Sequence, residues 1–222
     1  SLFSGGKDSV GALYRAQRAG LSVDRLVTVH SEGDSYLYHV PATRLVELAG
    51  RSIGLPVTAV EGATVSGHDA STRGDRELEP LEQALAELDA VLDNGLAGVT
   101  VGAIESEFQA DRIEAMCRRL GIDMYAPLWH EEPTDLGRWL VETGFEIRIV
   151  AVAAAGLDAS WLGRTLDETA LSELTALNET YGVHVLGEGG EYETIVTDGP
   201  HMSRPIEIEY ETRWDGTRGQ LE

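Results

Sequence analysis

The stretch Ser4–Ser9, SGGKDS, follows a short apolar start at Leu2–Phe3 and runs straight into a helical pattern. That order predicts a buried strand, a glycine turn and a helix N-terminus, whose unpaired N–H groups attract phosphate. Gly5 and Gly6 let the backbone close around an anion, Lys7 adds a flexible point charge, and Ser4 and Ser9 add hydroxyl donors. Lys7 is also the only lysine in a chain with sixteen arginines. The competing reading is a glycine turn that happens to carry a lysine.

Outward from the loop, strands and helices alternate. Val10, Leu13, Tyr14 and Gln17 give a helical face that Gly20 can end, and Arg25–His30 supplies an apolar strand. A second cycle sets Leu45, Leu48, Ala49 and Ser52 on one helical face, stops at Gly54, and continues as a strand over Pro56–Val60. A charged helix is predicted over Glu79–Leu92 with Leu81, Leu85, Leu88 and Leu92 buried, then a strand at Gly98–Val101. Glu107–Leu120 reads as a helix turning Phe108, Ile113, Met116 and Cys117 inward, and Met124–Ala126 as the last parallel strand. This rhythm predicts an α/β fold, a doubly wound parallel sheet with its ligand site at the strands' C-terminal ends.

The character changes near Pro127. Leu136–Val141 looks helical, Glu146–Ala154 reads as a buried strand, and Leu166–Tyr181 as a helix ended by Gly182. Ile206, Ile208, Tyr210 and Trp214 alternate with Glu207, Glu209, Glu211 and Arg213, which predicts a half-solvated strand. Two units result: a nucleotide-binding domain over residues 1–126 and a smaller α/β domain over 127–222.

At 222 residues, 38 acidic against 17 basic groups give a formal charge of −21. With arginine almost wholly replacing lysine, this suggests adaptation to a salt-rich cytoplasm, as in a halophilic archaeon, where screening tames the self-repulsion. The charge weighs against nucleic-acid binding, which needs clustered cations. A single cysteine, Cys117, excludes an internal disulfide and any multi-cysteine metal or redox centre, and its helical neighbours Met116 and Leu120 place it in the core. The chain has no run of eighteen apolar residues and no basic targeting segment ahead of the loop, so a soluble, cytoplasmic protein without membrane contact is expected. The first strand is expected to begin ahead of Ser1.

Lys7 is followed by Asp8, so SGGKDS is not the GK[ST] phosphate loop of kinases and GTPases. It resembles the pyrophosphate loop of the ATP pyrophosphatase superfamily, whose members cleave ATP between the α and β phosphates. A second stretch narrows this. Gly187–Thr194, GEGGEYET, packs Glu188, Glu191 and Glu193 around a double glycine that breaks ordinary strand pairing. Such a cluster could hold a cation, bind a cationic substrate or orient a nucleophile, and an acidic surface loop is the plain alternative. Together with FSGGKDS at Phe3–Ser9, GDSYLYH at Gly33–His39, GAIES at Gly102–Ser106, Cys117 with Leu120–Gly121, and PLW at Pro127–Trp129, it resembles the diphthine-ammonia ligases, or diphthamide synthases, of that superfamily. Ala103 and Ala110 depart from the family pattern.

The resemblance implies an adenine-nucleotide α-hydrolase-like sheet and ATP-dependent amidation of diphthine on translation elongation factor 2. The carboxylate would become an acyl-adenylate with loss of pyrophosphate, and ammonia would displace AMP. It implies ATP and Mg2+ as cofactors, the factor and ammonia or ammonium as partners, and leaves a homodimer open. Ser4, Gly5, Gly6, Lys7, Asp8 and Ser9 would hold ATP, with Asp8 on the metal; His30, Ser31 and Gly102 would flank the nucleotide. Tyr36, Tyr38, His39 and Tyr192 would meet the substrate, together with Glu188, Glu191 and Glu193, which join Lys7 and Asp8 as catalytic candidates. Two alternatives remain: a transfer-RNA-modifying ATP pyrophosphatase, and a regulatory nucleotide-binding protein without turnover. Lack of a cysteine pair disfavours sulfur insertion into RNA.

Overall fold

Helix α1, Lys7–Arg18, begins immediately after the glycine turn, and Gly5 takes the left-handed φ of +81° that the turn requires. The computed structural model describes residues 1–30, 42–62 and 70–222, leaving aside the side chains of 42–44 and 70–77. Strands β1 (Leu26–His30) and β2 (Val57–Glu61) pair in parallel, as do β3 (Gly98–Thr100) and β4 (Asp123–Tyr125). The apolar start joins the two pairs. Phe3 donates its N–H to Val27 O at 2.9 Å, Val27 donates to Ser1 O at 2.8 Å, and Leu2 donates to Thr100 O at 2.9 Å. The glycine turn therefore leaves the middle of a parallel arrangement at its C-terminal edge.

Helices cover both faces. Val10 and Leu13 of α1 pack with Val46 and Ala49 of α2 (Ala42–Ile53) against Leu26. On the other face, Leu81, Leu85 and Leu88 of α3 (Ala70–Val91) join Met116 and Cys117 of α4 (Glu107–Leu120) against Val27, Val29, Val99 and Val101. Cys117 is 1% exposed, and burial raises its thiol pKa, with Glu114 and Asp123 adding to the effect. It is a core residue, as its neighbours predict.

The C-terminal half adds an antiparallel sheet in the order β6 (Tyr192–Asp198), β5 (Glu146–Val152), β8 (Gly219–Leu221), β7 (Thr212–Trp214). Helices α5 (Pro133–Thr143) and α6 (Glu168–Tyr181) pack on it and on each other. The caps explain the boundaries: Glu132 accepts from Asp135 N–H at 2.8 Å, and Asp167 accepts from Ala170 N–H at 2.8 Å, moving the start of α6 past Leu166. Phe3, Val10 and Leu13 share one continuous core with Ile147, Ile149 and Val196. Apolar burial across that seam welds α1 to the antiparallel sheet.

Four expectations need correcting. Residues 206–211 form no strand: Ile206 is buried, but the ladder begins only at Thr212. Phe108 is 52% exposed with the Arg112 guanidinium 3.4 Å over its ring, so it does not face the core. Leu48 is 37% exposed, and Val46 at 1% holds the buried position on α2. Helix α3 begins at Ala70 rather than Glu79 and carries Pro80 within it. Among the described residues no helix is long and apolar enough to cross a membrane.

Candidate active site

The glycine turn is stitched internally by its two serines. Ser4 and Ser9 share a hydrogen bond of 3.2 Å between hydroxyls, Ser4 N–H donates to Ser9 Oγ at 3.2 Å, and Ser9 Oγ donates to Gly6 O at 3.0 Å. Gly6, the N-cap of α1, has no side chain with which to cap the first turn. Gly102, two residues beyond β3, closes the cradle from below. A Cβ there would lie 2.7 Å from Asp8 C and Ser9 N, so only glycine lets the two backbones approach this closely.

The turn is also tied to β6. Gly5 O accepts from Val196 N–H at 2.9 Å, and Lys7 N–H donates to Thr194 Oγ1 at 3.2 Å. These bonds place the last residue of GEGGEYET against the first residue of α1.

Lys7 is 4% exposed, with its Nζ 2.9 Å from Asp8 Oδ2 and 5.7 Å from the centroid of the Tyr192 ring. Asp8 Oδ1 is buried with no hydrogen-bond partner among the described residues. A buried carboxylate oxygen without a donor suits a hard cation, and one such carboxylate is enough for Mg2+, which keeps water and phosphate oxygens in its shell. Among the described residues no group of three or more acidic, His or Cys side chains forms a dedicated metal cage.

The acidic motif separates into distinct environments. Glu188 lies on the exposed rim. Its carboxyl is raised to about 7, first by desolvation, then by Asp8, with Lys7 opposing and Glu105 and Glu191 adding to the rise; solvent at the rim screens part of that shift. Glu191 is engaged with the backbone: Oε1 accepts from His184 N–H at 3.0 Å and Oε2 from Gly189 N–H at 2.8 Å. Glu193 is half-buried on β6 opposite Ala151. Tyr192 is 3% exposed, donates its hydroxyl to Val185 O at 2.6 Å, and stays a neutral phenol because burial pushes its pKa well up.

His30 ends β1 in register with Glu61, half-buried, and its carbonyl accepts from Gly62 N–H. Ser31, Tyr36, Tyr38 and His39 lie outside the described residues. The structure thus gathers Ser4, Gly5, Gly6, Lys7, Asp8, Ser9, Gly102, Glu188 and Tyr192 around the glycine turn.

Three of its neighbours were not singled out from the sequence. Thr194 closes GEGGEYET and Glu105 lies within GAIES, so both stand inside stretches already conspicuous. His184, three residues ahead of Gly187, carries no local signal, and only the fold brings its Nε2 to 3.5 Å from Glu105.

The chain matches the family model for the diphthamide synthase N-terminal domain over residues 1–124 and that for the diphthamide synthase C-terminal domain over 132–222. It is 36% identical over 220 residues to a diphthine-ammonia ligase of Danio rerio, covering 94% of this chain and 85% of that one. The diphthine-ammonia ligase of Homo sapiens is 33% identical over 222 residues, covering 94% and 82%. That of Saccharomyces cerevisiae is 31% identical over 227 residues, 90% of this chain but 33% of its own length. A solved chain described as a predicted subunit of tRNA methyltransferase from Methanocaldococcus jannaschii superposes with a TM-score of 0.43 at 15% identity, over 92% of this chain and 97% of that one. That likeness is too loose to carry a functional comparison.

Proposed function

The chain belongs to the diphthine-ammonia ligase family, and from that premise we propose how its crevice carries out the ATP-dependent amidation of diphthine on elongation factor 2. The observation that carries the assignment of roles is the joining of SGGKDS to GEGGEYET through Lys7 N–H and Thr194 Oγ1. This contact sets a phosphate cradle beside an acidic rim, which is what a reaction between a nucleotide and a cationic substrate needs.

Ser4, Gly5, Gly6, Lys7 and Ser9 would hold the β and γ phosphates of ATP, and His30 at the end of β1 would flank its nucleoside. Gly102 keeps the first turn of α1 in place beneath it. Asp8 holds Mg2+, which when bound shields the phosphate charges. Lys7 leaves Asp8 for the phosphates and stabilises the charge that grows as pyrophosphate departs.

The diphthine carboxylate attacks the α-phosphorus and becomes an acyl-adenylate. Its oxygen is then part of a good leaving group, and ammonia displaces AMP to give the amide. Glu188, raised toward neutrality on the crevice rim, takes the proton that ammonium must lose. Glu188 draws in the quaternary ammonium of diphthine, which offers no hydrogen-bond donor of its own, whereas Glu193 lies between Tyr192 and Thr194 on β6 and alternates away from Lys7. Glu191 holds the loop, and Tyr192 backs Lys7; neither need touch the substrate. We further infer the doubly wound sheet of the ATP pyrophosphatase type, with a smaller domain following residue 126, and a cytoplasmic site of action alongside the translation factor.

The test is mass spectrometry of diphthine-bearing elongation factor 2 after incubation with the protein, ATP, Mg2+ and ammonium at high salt, with AMP measured in parallel. Conversion of carboxylate to amide with matching AMP is expected, and Lys7→Ala should abolish both. A folded, ATP-binding protein that forms no amide would sink the proposal and turn attention to transfer RNA as acceptor or to a regulatory role.

A further inference from the structure

Two side chains, His184 and Glu191, organise the loop carrying Glu188. His184 Nδ1 accepts from Leu186 N–H at 3.1 Å and, more weakly, from Glu188 N–H at 3.4 Å. The same residue donates its backbone N–H to Glu191 Oε1, whose other oxygen holds Gly189 N–H. Its second ring nitrogen, Nε2, lies 3.5 Å from Glu105 Oε2 on the segment between β3 and α4. Glycines 187 and 190 both take left-handed φ, at +72° and +82°, so the backbone here has little intrinsic preference for one path. Besides the turn bonds of Gly187 N–H to His184 O and Gly190 N–H to Gly187 O, the side chains of His184 and Glu191 choose it.

We propose that His184 is a positioning residue for the amidation: its neutral Nε2–H tautomer, selected by Glu105, holds Glu188 at the crevice through the Nδ1 lone pair. The inference rests on the ligase reading of the site and adds to it a residue acting through Glu188. The chemistry dictates the tautomer. An imidazole accepting N–H groups at Nδ1 carries its proton on Nε2, where the Glu105 carboxylate attracts it. Protonating Nδ1 as well would set an N–H against the Leu186 and Glu188 N–H groups and release the loop. The groups facing His184 are the carboxylates of Glu105 and Glu191 and the backbone of Leu186 and Glu188. Glu191 is held by backbone donors, so Glu105 is the carboxylate that reads the ring.

Asparagine and glutamine separate the two ring nitrogens. An Asn side-chain oxygen falls near the place of Nδ1 and can still accept from Leu186 and Glu188, whereas Gln reaches toward Nε2 and Glu105 and leaves the two N–H groups unmet. His184→Gln should lower kcat for amide formation about tenfold with the KM for ATP unchanged, since the phosphate cradle is held separately by Thr194. His184→Asn should recover most of that loss. Equal loss in both variants, no loss in either, or a raised KM for ATP overturns the proposal. Nitrogen-15 NMR of His184 in the unaltered protein decides the matter even if both variants unfold: an unprotonated Nδ1 supports the proposal and a protonated one refutes it. A wild-type protein that makes no amide would instead overturn the ligase reading, while the ring tautomer would still report on the loop.

Discussion

Gly102→Ala tests whether the phosphate cradle depends on backbone contact beneath α1. The added methyl would lie 2.7 Å from Asp8 C and Ser9 N and 2.8 Å from Asp8 O, against ordinary contact at 3.4 Å or more, so the first turn must retreat by roughly 0.7 Å. No flexible side chain can give way, because all three atoms are backbone. The retreat is opposed by Val196 N–H on Gly5 O and by Thr194 Oγ1 on Lys7 N–H. Overpacking of this kind costs about 1–3 kcal/mol, or roughly 2–10 °C in melting temperature for a chain of this size. A displacement near 1 Å at a group that orients a reacting phosphate costs up to about 100-fold in rate.

The expected result is therefore a folded protein whose kcat/KM for ATP falls about 30- to 100-fold, followed by AMP release with diphthine-bearing factor present. Gly121→Ala is the control. Gly121 ends α4 at φ +70° with nothing among the described residues within 4 Å of its would-be Cβ, so the change should cost about 1 kcal/mol of stability and leave kinetics alone. If Gly102→Ala melts lower but forms AMP at the wild-type rate per folded molecule, the cradle does not depend on this contact and the reasoning fails.

Glu188→Gln should remove the acidic limb of the rate profile. With its folded value raised to about 7, wild-type Glu188 loses its proton-accepting form as pH falls through that value, and amide formation should fall with it. For stability the sign is opposite: the raised carboxyl favours folding below its unfolded value near 4.5 and loses that contribution as pH rises through about 7, so the variant should show a flatter melting profile across that window. Glu191→Gln turns one acceptor into a donor facing Gly189 or His184 N–H, and faster amide hydrogen exchange confined to residues 184–190 should accompany the loss of amide product. His201 packs 5.7 Å from the Phe145 ring with both nitrogens buried and, among the described residues, without hydrogen bonds, and burial lowers its pKa to about 4. Its contribution to stability is whole above about 6.5 and lost as pH falls through 4, so His201→Phe should gain about 1–2 kcal/mol at neutral pH in urea unfolding and flatten the acid limb. The net charge of −21 predicts a melting temperature that climbs by several degrees between low salt and molar KCl; a flat or falling response would contradict the salt-adapted reading.

The parallel half was legible where a helix has one face for the core and a glycine at its end. Gly54 ends α2 at left-handed φ, as its position suggested. The interior of α1 was not legible. Val10 and Leu13 announce one buried face, yet Gly11, Ala12 and Ala16 are buried too, because Leu128, Leu136 and Leu140 cover the rest of the helix. Small residues carry no hydropathy signal of their own; they record how closely a partner approaches, and the partner lies more than a hundred residues away. The tail misled for the opposite reason. Ile206 and Ile208 alternate with glutamates as a strand would, but alternation specifies an extended chain with one apolar side, and only a neighbouring edge turns that into a ladder.

The same burial of α1 accounts for how two distant motifs make one site. A phosphate turn at the edge of a parallel sheet needs only its own strand and helix, and SGGKDS supplies both. Here the turn is also bonded to β6, so Lys7 cannot shift along the cradle without disturbing Thr194, while Glu191 and His184 hold the neighbouring loop through bonds of their own. The shared apolar core makes that arrangement rigid, since separating α1 from the antiparallel sheet would expose Val10, Leu13, Ile147 and Val196 together. An enzyme that must activate a carboxylate and then deliver ammonia before water arrives gains from such a connection, because the group that holds phosphate and the group that handles the second substrate keep one fixed spacing throughout.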